Sequence, residues 1–140
     1  FFIMSLKKRS DCLFSYSLDI WGDKWSLLII RDMIFMGKST YGDFLKSPER
    51  IATNILATRL QQLEENGLIE KTEHPGSKAK NLYKLTPKGI ALVPVFVEIF
   101  LWAEKYEPVP EGMNEKMCSF RGDKEAAAKA LMEELLRKRL

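Results

Sequence analysis

The chain holds few residues of the kind that form nucleophiles or metal centres. Its 140 residues include two cysteines, Cys12 and Cys118, and one histidine, His74. A structural zinc site needs about four such ligands at short spacing, and none of these three side chains has another cysteine or histidine close to it in the sequence. We therefore predict no metal, no cofactor and no disulfide framework.

Sequence motifs for catalysis and for membrane insertion are also missing. We find no glycine-rich phosphate loop and no nucleophile motif, and a single histidine leaves little general-base chemistry. The longest apolar run, Ile90–Ala103, is interrupted by Glu98 and is shorter than the roughly 18 residues that a membrane span needs. No secretory signal is evident. We predict a cytoplasmic protein that is not an enzyme and has no membrane partner.

A cluster of hydroxyl and amide side chains has chemistry suited to binding nucleic acid. Thr53, Asn54 and Thr58 share the outward face of a predicted helix, Thr53–Asn66, near its N-terminal end. Such groups can bond base edges or phosphates in double-stranded DNA. A merely solvated helix face is the alternative, so the surroundings of the cluster must decide between the two interpretations.

The charges around this cluster matter more than the net charge of +3, which is too small to indicate nucleic acid by itself. Arg50 precedes the helix and can reach phosphate. Arg59 lies beside the inner apolar stripe. Its side chain could contact a phosphate or form an ion pair within the protein, and the sequence does not distinguish between these two roles. Between positions 38 and 55 the bases are Lys38, Lys46 and Arg50, and the acids are Asp43 and Glu49.

The apolar period changes from helical to alternating after this helix and predicts two strands, Leu68–His74 and Asn81–Thr86. The tip of the resulting hairpin, His74–Lys80, carries Lys78 and Lys80 and no acidic residue. These lysines suit contact with the DNA backbone or the minor groove, and ordinary solvated turn lysines are the alternative.

The order of the predicted elements defines the fold class. Before the hairpin we predict a helix capped at Ser10 or Asp11 that runs to Trp21, followed by helices over Lys24–Met36, Thr40–Leu45 and Thr53–Asn66. After it we predict a helix over Pro87–Tyr106, kinked at Pro94, and a last helix over Asp123–Arg139. The fold class is mainly α with a small β-hairpin: a winged helix-turn-helix with amino-terminal and carboxyl-terminal dimerisation helices.

The order of elements also predicts how the chain divides into domains and which segment contacts DNA, here called the reading unit. We predict an amino-terminal arm (1–10), a winged-helix domain with its dimerisation helices (11–106), a linker (107–122) and a carboxyl-terminal helix (123–140). Thr40–Asn66 is the predicted reading unit, because the second helix of such a unit places its first residues in the major groove. Thr40 and Tyr41, at the start of the unit, complete the predicted DNA contacts.

Several blocks of sequence resemble one known family. Cys12 and the run Asp19-Ile20-Trp21-Gly22-Asp23-Lys24-Trp25 resemble the opening of HxlR-type regulators, relatives of the MarR group. Further blocks follow in the family's order: Tyr41-Gly42-Asp43-Phe44, Leu56–Ile69 and Tyr83-Lys84-Leu85-Thr86-Pro87-Lys88-Gly89. The resemblance covers roughly residues 12–106. One departure is that Ala52 and Thr53 stand where the family usually starts its recognition helix with Ser-Pro.

The resemblance implies a homodimer that binds a near-palindromic operator, with dimer contacts from the first and the late helices. The apolar load of Pro87–Tyr106 independently exceeds what one small domain buries. We predict that the dimer interface contains Leu13, Tyr16, Phe96, Ile99, Phe100 and Trp102.

Cys12 has two open interpretations. Some members of the resembled family sense electrophiles or oxidants through an amino-terminal cysteine, and the neighbouring Lys7, Lys8 and Arg9 would favour a thiolate. Alternatively, Cys12 is a small hydrophobe in the dimer contact. A small-molecule or oxidant effector is thus one expected partner.

We therefore expect a sequence-specific DNA-binding transcriptional regulator. The alternative is a winged-helix interaction module without DNA binding, which the near-neutral net charge and the unusual helix start keep open. An acidic or apolar outer face on the recognition helix would favour that alternative.

Overall fold

The computed structural model describes residues 9–74 and 76–139, except for the side chains of residues 74 and 77–79. Most of the predicted amino-terminal arm and the side chain of Lys78 therefore lie outside the described residues. The chain divides into two compact units, one up to Gly89 and one from Ile90 onward.

The first unit combines helices with one antiparallel hairpin, which confirms the predicted fold class. Among the described residues, the hairpin is the whole of the sheet structure. The elements in chain order are α1 (Leu13–Trp21), α2 (Lys24–Phe35), α3 (Tyr41–Leu45), α4 (Thr53–Glu65), β1 (Ile69–His74), β2 (Ser77–Leu85) and, at the boundary of the two units, α5 (Pro87–Ile90).

The core of the first unit forms around α2 and α4. α2 is apolar on nearly every side, as expected of a central helix, whereas α4 is apolar along one stripe. Removing a large apolar side chain from water contributes about 1.5–3 kcal/mol, so these helices carry much of the unit's stability. The buried apolar side chains of this unit include Ile20, Ile29, Ile30, Met33, Ile34, Phe35, Phe44, Ile51, Leu56, Leu60, Leu63, Leu68, Ile69 and Leu85.

The helix starts agree with the sequence at α2 and α3 but not at α1. The Asp23 carboxylate accepts the Ser26 amide at 3.0 Å and caps α2, which starts at Lys24 as predicted. Thr40 caps α3 in a reciprocal capping box with Asp43. The cap of α1 is Cys12, not Ser10 or Asp11, and its side chain makes no capping bond. Ser10 does not cap the helix. Its hydroxyl oxygen accepts a hydrogen bond from the Cys12 amide at 3.2 Å, in the segment before α1.

A buried carboxylate, that of Asp32 near the end of α2, binds the loop between α3 and α4. The side chain is only 4% exposed. Ser47, itself buried, donates its hydroxyl to Asp32. The Lys38 ammonium donates to the Ser47 hydroxyl at 2.8 Å and lies 3.5 Å from the Asp32 carboxylate. A buried charge is costly unless it is paired and hydrogen-bonded, and Asp32 has both kinds of partner.

Arg31 extends this arrangement to the far side of the same loop. Its guanidinium donates to Asp32 at 2.8 and 3.0 Å and, in a two-bond fork, to both carboxylate oxygens of Glu49 at 2.8 Å. The fork raises the pKa of Arg31 and lowers that of Glu49. We call these residues the Asp32 network: Arg31, Asp32, Lys38, Ser47 and Glu49. The network fixes the path of the chain into α4.

The hairpin is longer on its return strand than predicted. β2 begins at Ser77 rather than Asn81, although the pairing is irregular near the tip. His74 pairs with Ser77 and Glu73 pairs with Asn81, so β2 carries residues 78–80 as an insertion between these two pairs. The lysines of the predicted tip thus belong to an irregular part of a strand and not to a simple turn.

The second unit begins with a correction to the predicted helix over Pro87–Tyr106. The chain forms α5 and then a separate helix, α6 (Val93–Glu104), with Pro94 in its first turn. Pro94 therefore starts a helix and does not kink one, because the first turn is where a missing amide hydrogen costs nothing.

The segment 107–122, predicted as a linker, contains two short elements. These are α7 (Glu115–Cys118) and a 3-10 turn (Ser119–Arg121), in which Phe120 is buried and packs edge-on against Phe100. α8 (Lys124–Arg137) follows, capped by Asp123. It buries Ala128 and Leu131, whereas Ala126 and Ala130 are exposed. Among the described helices, none combines the length and apolar character needed to cross a membrane.

The Asp32 network predicts an acid-sensitive contribution to stability from Glu49. Its pKa lies below the usual 4.5 because Arg31 donates hydrogen bonds to its carboxylate. A carboxyl with a lower pKa in the folded state stabilises the fold above its unfolded pKa, and this contribution is lost as the pH falls through the folded pKa. For Glu49→Gln, urea unfolding at a series of pH values below about 5 should show a shallower loss of stability than wild type.

Glu107→Gln provides the matched control, because Glu107 is exposed and takes part in no ion pair recorded among the described residues. This variant should follow the wild-type pH dependence. A Glu49→Gln protein whose stability falls as steeply as that of wild type would show that the Arg31–Glu49 fork does not stabilise the fold.

Candidate nucleic-acid interface

The outward side of α4 carries small polar side chains, as the sequence predicted. Its other side is fixed in the core by Leu56, Leu60 and Leu63. We call five exposed residues toward the N-terminal end of α4 the reading face; none of the five is charged, and the exposed Glu65 lies beyond them at the far end of the helix. Its members are Thr53, Asn54, Ala57, Thr58 and Gln61.

The start of the reading face is tied to the preceding helix by Tyr41. Its hydroxyl donates to the Thr53 carbonyl at 2.8 Å. Tyr41 was predicted to contact DNA, and the structure gives it at least one internal role. Thr40 likewise serves α3, because its hydroxyl oxygen accepts the Asp43 amide at 3.1 Å. The Tyr41 bond joins α3 to the start of α4, at the end where DNA contacts are predicted, and the Thr40 bond stabilises the start of α3.

Within the reading face, Thr58 donates its hydroxyl to the Asn54 carbonyl at 2.9 Å. The Thr58 oxygen is thus left as an exposed acceptor, whereas the Asn54 amide offers both a donor and an acceptor. This combination suits contact with base edges, because an asparagine amide can form two hydrogen bonds with adenine.

Arg50 stands in front of α4 in a left-handed backbone conformation, with φ of 57°. This conformation costs a non-glycine residue about 1–2 kcal/mol. It is held by the Arg50 amide, which donates to the Ser47 carbonyl at 3.0 Å. Arg50 is exposed, and the next cap position, Ala52, has no side chain to satisfy the first amides of α4. An exposed guanidinium beside uncapped helix amides suits a phosphate group.

The structure changes the charge argument for this segment. Lys38 belongs to the Asp32 network and is not a free basic group at the interface. The acids are also occupied: hydrogen bonding from Thr40 lowers the pKa of Asp43 despite opposing burial, and Glu49 pairs with Arg31. Lys46 and Arg50 are left exposed. The surface before α4 is therefore basic even though the segment is nearly neutral by count.

Arg59 makes the internal ion pair that the sequence left open. Its Nε donates to Asp23 at 2.9 Å. Asp23 was not predicted to lie near the recognition helix, since the two residues are far apart in sequence and neither period nor capping indicates such a pair.

The base of the hairpin is fixed next to α3. The Tyr83 amide donates to the Ser39 carbonyl at 2.7 Å, and the Tyr83 ring packs edge-on against Phe44. Burial raises the pKa of Tyr83. Lys80 is exposed on the same strand. An open cleft of about 370 Å³ between hairpin and helix is lined by Thr40, Tyr41, Gly42, Lys80, Asn81 and Tyr83.

The residues predicted at the dimer interface differ in how exposed their side chains are to solvent. Leu13 is 78% exposed, Trp102 is 66% exposed and Ile99 is 46% exposed, whereas Phe96 is only 8% exposed and is buried within its own chain. Tyr16 lies at the border of exposure and Phe100 is half-buried. Five further large apolar residues are exposed and were not predicted at the interface: Phe14, Leu18, Met36, Tyr106 and Leu136. For Phe14 and Leu18, the available signal was the presence of apolar side chains on more than one side of α1.

The two cysteines lie in different settings. Cys12 is exposed at the start of α1, and Cys118 is half-buried at the end of α7. Neither is in a disulfide. Within the part of the chain that the structure describes, no group of three or more histidine, cysteine, aspartate or glutamate side chains is placed to hold a metal ion.

Comparison with known proteins agrees with this geometry. Residues 20–111 match the family model described as HxlR-like helix-turn-helix. The HTH-type transcriptional regulator YodB of Bacillus subtilis is 34% identical over 85 residues, which cover 61% of this chain and 75% of YodB. An uncharacterised HTH-type transcriptional regulator of Mycobacterium tuberculosis, Rv3095, is 31% identical over 96 residues, which cover 69% of this chain and 60% of Rv3095.

Solved structures show the same fold. The protein PA1607 superposes with a TM-score of 0.65 and 40% identity, over 76% of this chain and 73% of that protein. Reduced YodB from B. subtilis superposes with a TM-score of 0.56 and 31% identity, over 72% of this chain and all (100%) of that chain. YodB has also been solved in a quinone-bound form, with a TM-score of 0.53. The chain described here belongs to the HxlR-like helix-turn-helix family of transcriptional regulators, which are not enzymes.

Proposed function

We propose that the chain is a sequence-specific DNA-binding transcriptional regulator that places α4 in the major groove. The observation that carries this proposal is the reading face: uncharged, polar and exposed on a helix whose opposite side is fixed in the core. Direct readout needs such donors and acceptors at the start of a rigid helix. For a module that binds only proteins, we would expect an acidic or apolar outer face on α4.

Phosphate contacts would orient the helix on the duplex. Arg50 and the uncapped amides at the start of α4 are the first group, and Lys80 on the hairpin is the second. Lys78 belongs to the same hairpin segment and remains a predicted contact. Contacts of this kind carry no sequence information, but they fix the register of the protein on the DNA and make binding salt-dependent.

We propose further that the chain acts as a homodimer on a near-palindromic operator in the cytoplasm. Support comes from exposed apolar side chains on α1, including Leu13, Phe14 and Leu18, and on α6, including Ile99 and Trp102. Large apolar side chains exposed in groups are typical of protein interfaces. A two-fold dimer matches a two-fold DNA site, because each α4 then reads one half-site.

Cys12 is the candidate sensor of an electrophile or oxidant. Its thiol is exposed at the start of an apolar helix, α1, and the relative YodB has been solved in reduced and quinone-bound forms. A quinone would react by addition: the thiolate sulfur bonds to a ring carbon, and the ring gains a proton and becomes a hydroquinone thioether. The bulky group on α1 would then disturb a dimer contact that this helix makes.

Substitutions at the interface should separate phosphate contacts from base contacts. Lys80→Ala should weaken binding on all sequences alike and reduce the slope of log affinity against log salt by about one. Asn54→Ala should cost about 1–3 kcal/mol, and only on duplexes with the preferred base at one position. Fluorescence anisotropy on labelled duplexes over a range of salt concentrations measures both effects.

Lys129→Ala is the control for this series, because Lys129 is an exposed lysine of α8 outside the proposed interface. It should bind like wild type. Equal losses for Lys129→Ala and Lys80→Ala would mean that only the total charge matters. The absence of salt-dependent binding by the wild-type protein would leave the protein-interaction module as the better account.

The role of Cys12 can be tested with a substituted benzoquinone. Intact mass should increase by one adduct at Cys12, and DNA affinity should fall several-fold. Cys12→Ser should keep its affinity after treatment, whereas Cys118→Ser should lose it as wild type does. Loss of affinity by treated Cys12→Ser, or full affinity of wild type carrying the Cys12 adduct, would exclude Cys12 as the sensor.

A further inference from the structure

One carboxylate, that of Asp23, connects three helices of the first unit. Asp23 lies in the turn between α1 and α2, two residues after α1 ends. Its Oδ2 atom accepts the Ser26 amide at 3.0 Å, which caps α2. The same atom accepts the Nε–H of Arg59, from the middle of α4, at 2.9 Å. The recognition helix is thus bonded to the turn that joins the two preceding long helices.

The ionised form of Asp23 is favoured at this position. Partial burial alone would raise its pKa, but the hydrogen bonds from Ser26 and Arg59 outweigh burial and the pKa is lowered. The side chains of Arg59 and Asp23 are 28% and 38% exposed, so water does not fully screen the pair. A charged, directional bond therefore holds α4 at neutral pH.

The bond adds something that the apolar stripe of α4 does not supply. Apolar contacts hold the inner side of α4 in the core, but they are non-directional. Among the bonds that the structure describes, the Tyr41 hydroxyl of α3 donates to the Thr53 carbonyl, and Arg59 donates to Asp23 in the turn before α2. Thr53 and Arg59 are six residues apart, which is about 9 Å along a helix. Two such bonds at separate points fix the direction in which Asn54 and Thr58 face.

We propose that Asp23 and Arg59 are positioning residues for DNA recognition, whose ion pair sets the rotation of α4 and hence the presentation of the reading face. Arg59 then acts through α4 and not as a phosphate contact. The inference rests on the proposed function, since it assigns a role within DNA binding by α4.

Two single variants and their combination test the proposal. Asp23→Asn removes the charge but keeps the α2 cap, because asparagine caps helices as well as aspartate does. Arg59→Met removes the guanidinium and keeps an unbranched apolar stem. Each should weaken binding to the preferred duplex about three- to fivefold, the range expected for a partly exposed ion pair. The salt slope should not change.

The double variant distinguishes positioning from an independent contact. If the two residues act only through their bond, Asp23→Asn combined with Arg59→Met should bind no more weakly than either single variant. Lys129→Ala is again the control, because Lys129 is an exposed residue of α8 outside the proposed interface. It should bind like wild type. A salt slope reduced by about one in Arg59→Met, with wild-type affinity in Asp23→Asn, would overturn the proposal and make Arg59 a phosphate contact.

Hydrogen exchange tests the positioning without DNA. In both single variants the amides of α4 should exchange faster than in wild type, while those of β1 and β2 should be unchanged. Unchanged exchange in α4 would overturn the proposal even if the wild-type protein binds DNA. Faster exchange in α4 would uphold the positioning of this helix even if DNA binding, and with it the proposed function, failed.

Discussion

The buried carboxylate of Asp32 is the constraint on which the interface depends. It lies in a helix that is otherwise packed among apolar residues, and Ser47, Lys38 and Arg31 compensate its charge. Because Ser47 belongs to the loop before α4, the requirement to satisfy Asp32 also fixes that loop. The left-handed conformation of Arg50, three residues later, is then held by the Ser47 carbonyl. A polar requirement in the core thus determines how the chain enters the recognition helix.

The same arrangement explains why an almost neutral chain can present a basic surface. Charges that balance one another in the sequence do not balance at the surface, because some of them are used inside the fold. Lys38 faces Asp32, Glu49 faces Arg31 and Asp43 completes the capping box of α3. What stays exposed before α4 is Lys46 and Arg50. Local pairing, and not net charge, sets the electrostatic character of the proposed DNA-binding side.

Features with a local cause could be predicted from the sequence. The apolar period located α2 and α4, and the caps at Asp23 and Thr40 follow from residue type at a helix start. Features that depend on distant partners could not. Arg59 and Asp23 are 36 residues apart, and no local pattern says whether an arginine beside an apolar stripe meets a carboxylate or a phosphate. The kink predicted at Pro94 was wrong for a similar reason. Proline is compatible with either a kinked helix or the first turn of a new one, and the surrounding packing selects between them.

The central claim is that α4 reads base edges in two related half-sites, and selection from a pool of random duplexes tests it most directly. The account predicts enrichment of one motif made of two inverted half-sites, with centres about 10 base pairs apart or a multiple of that distance. It also predicts that the Asn54→Ala protein enriches a motif degenerate at one position in each half-site. A pool that stays random after repeated selection at low salt, or the same motif for both proteins, would contradict it.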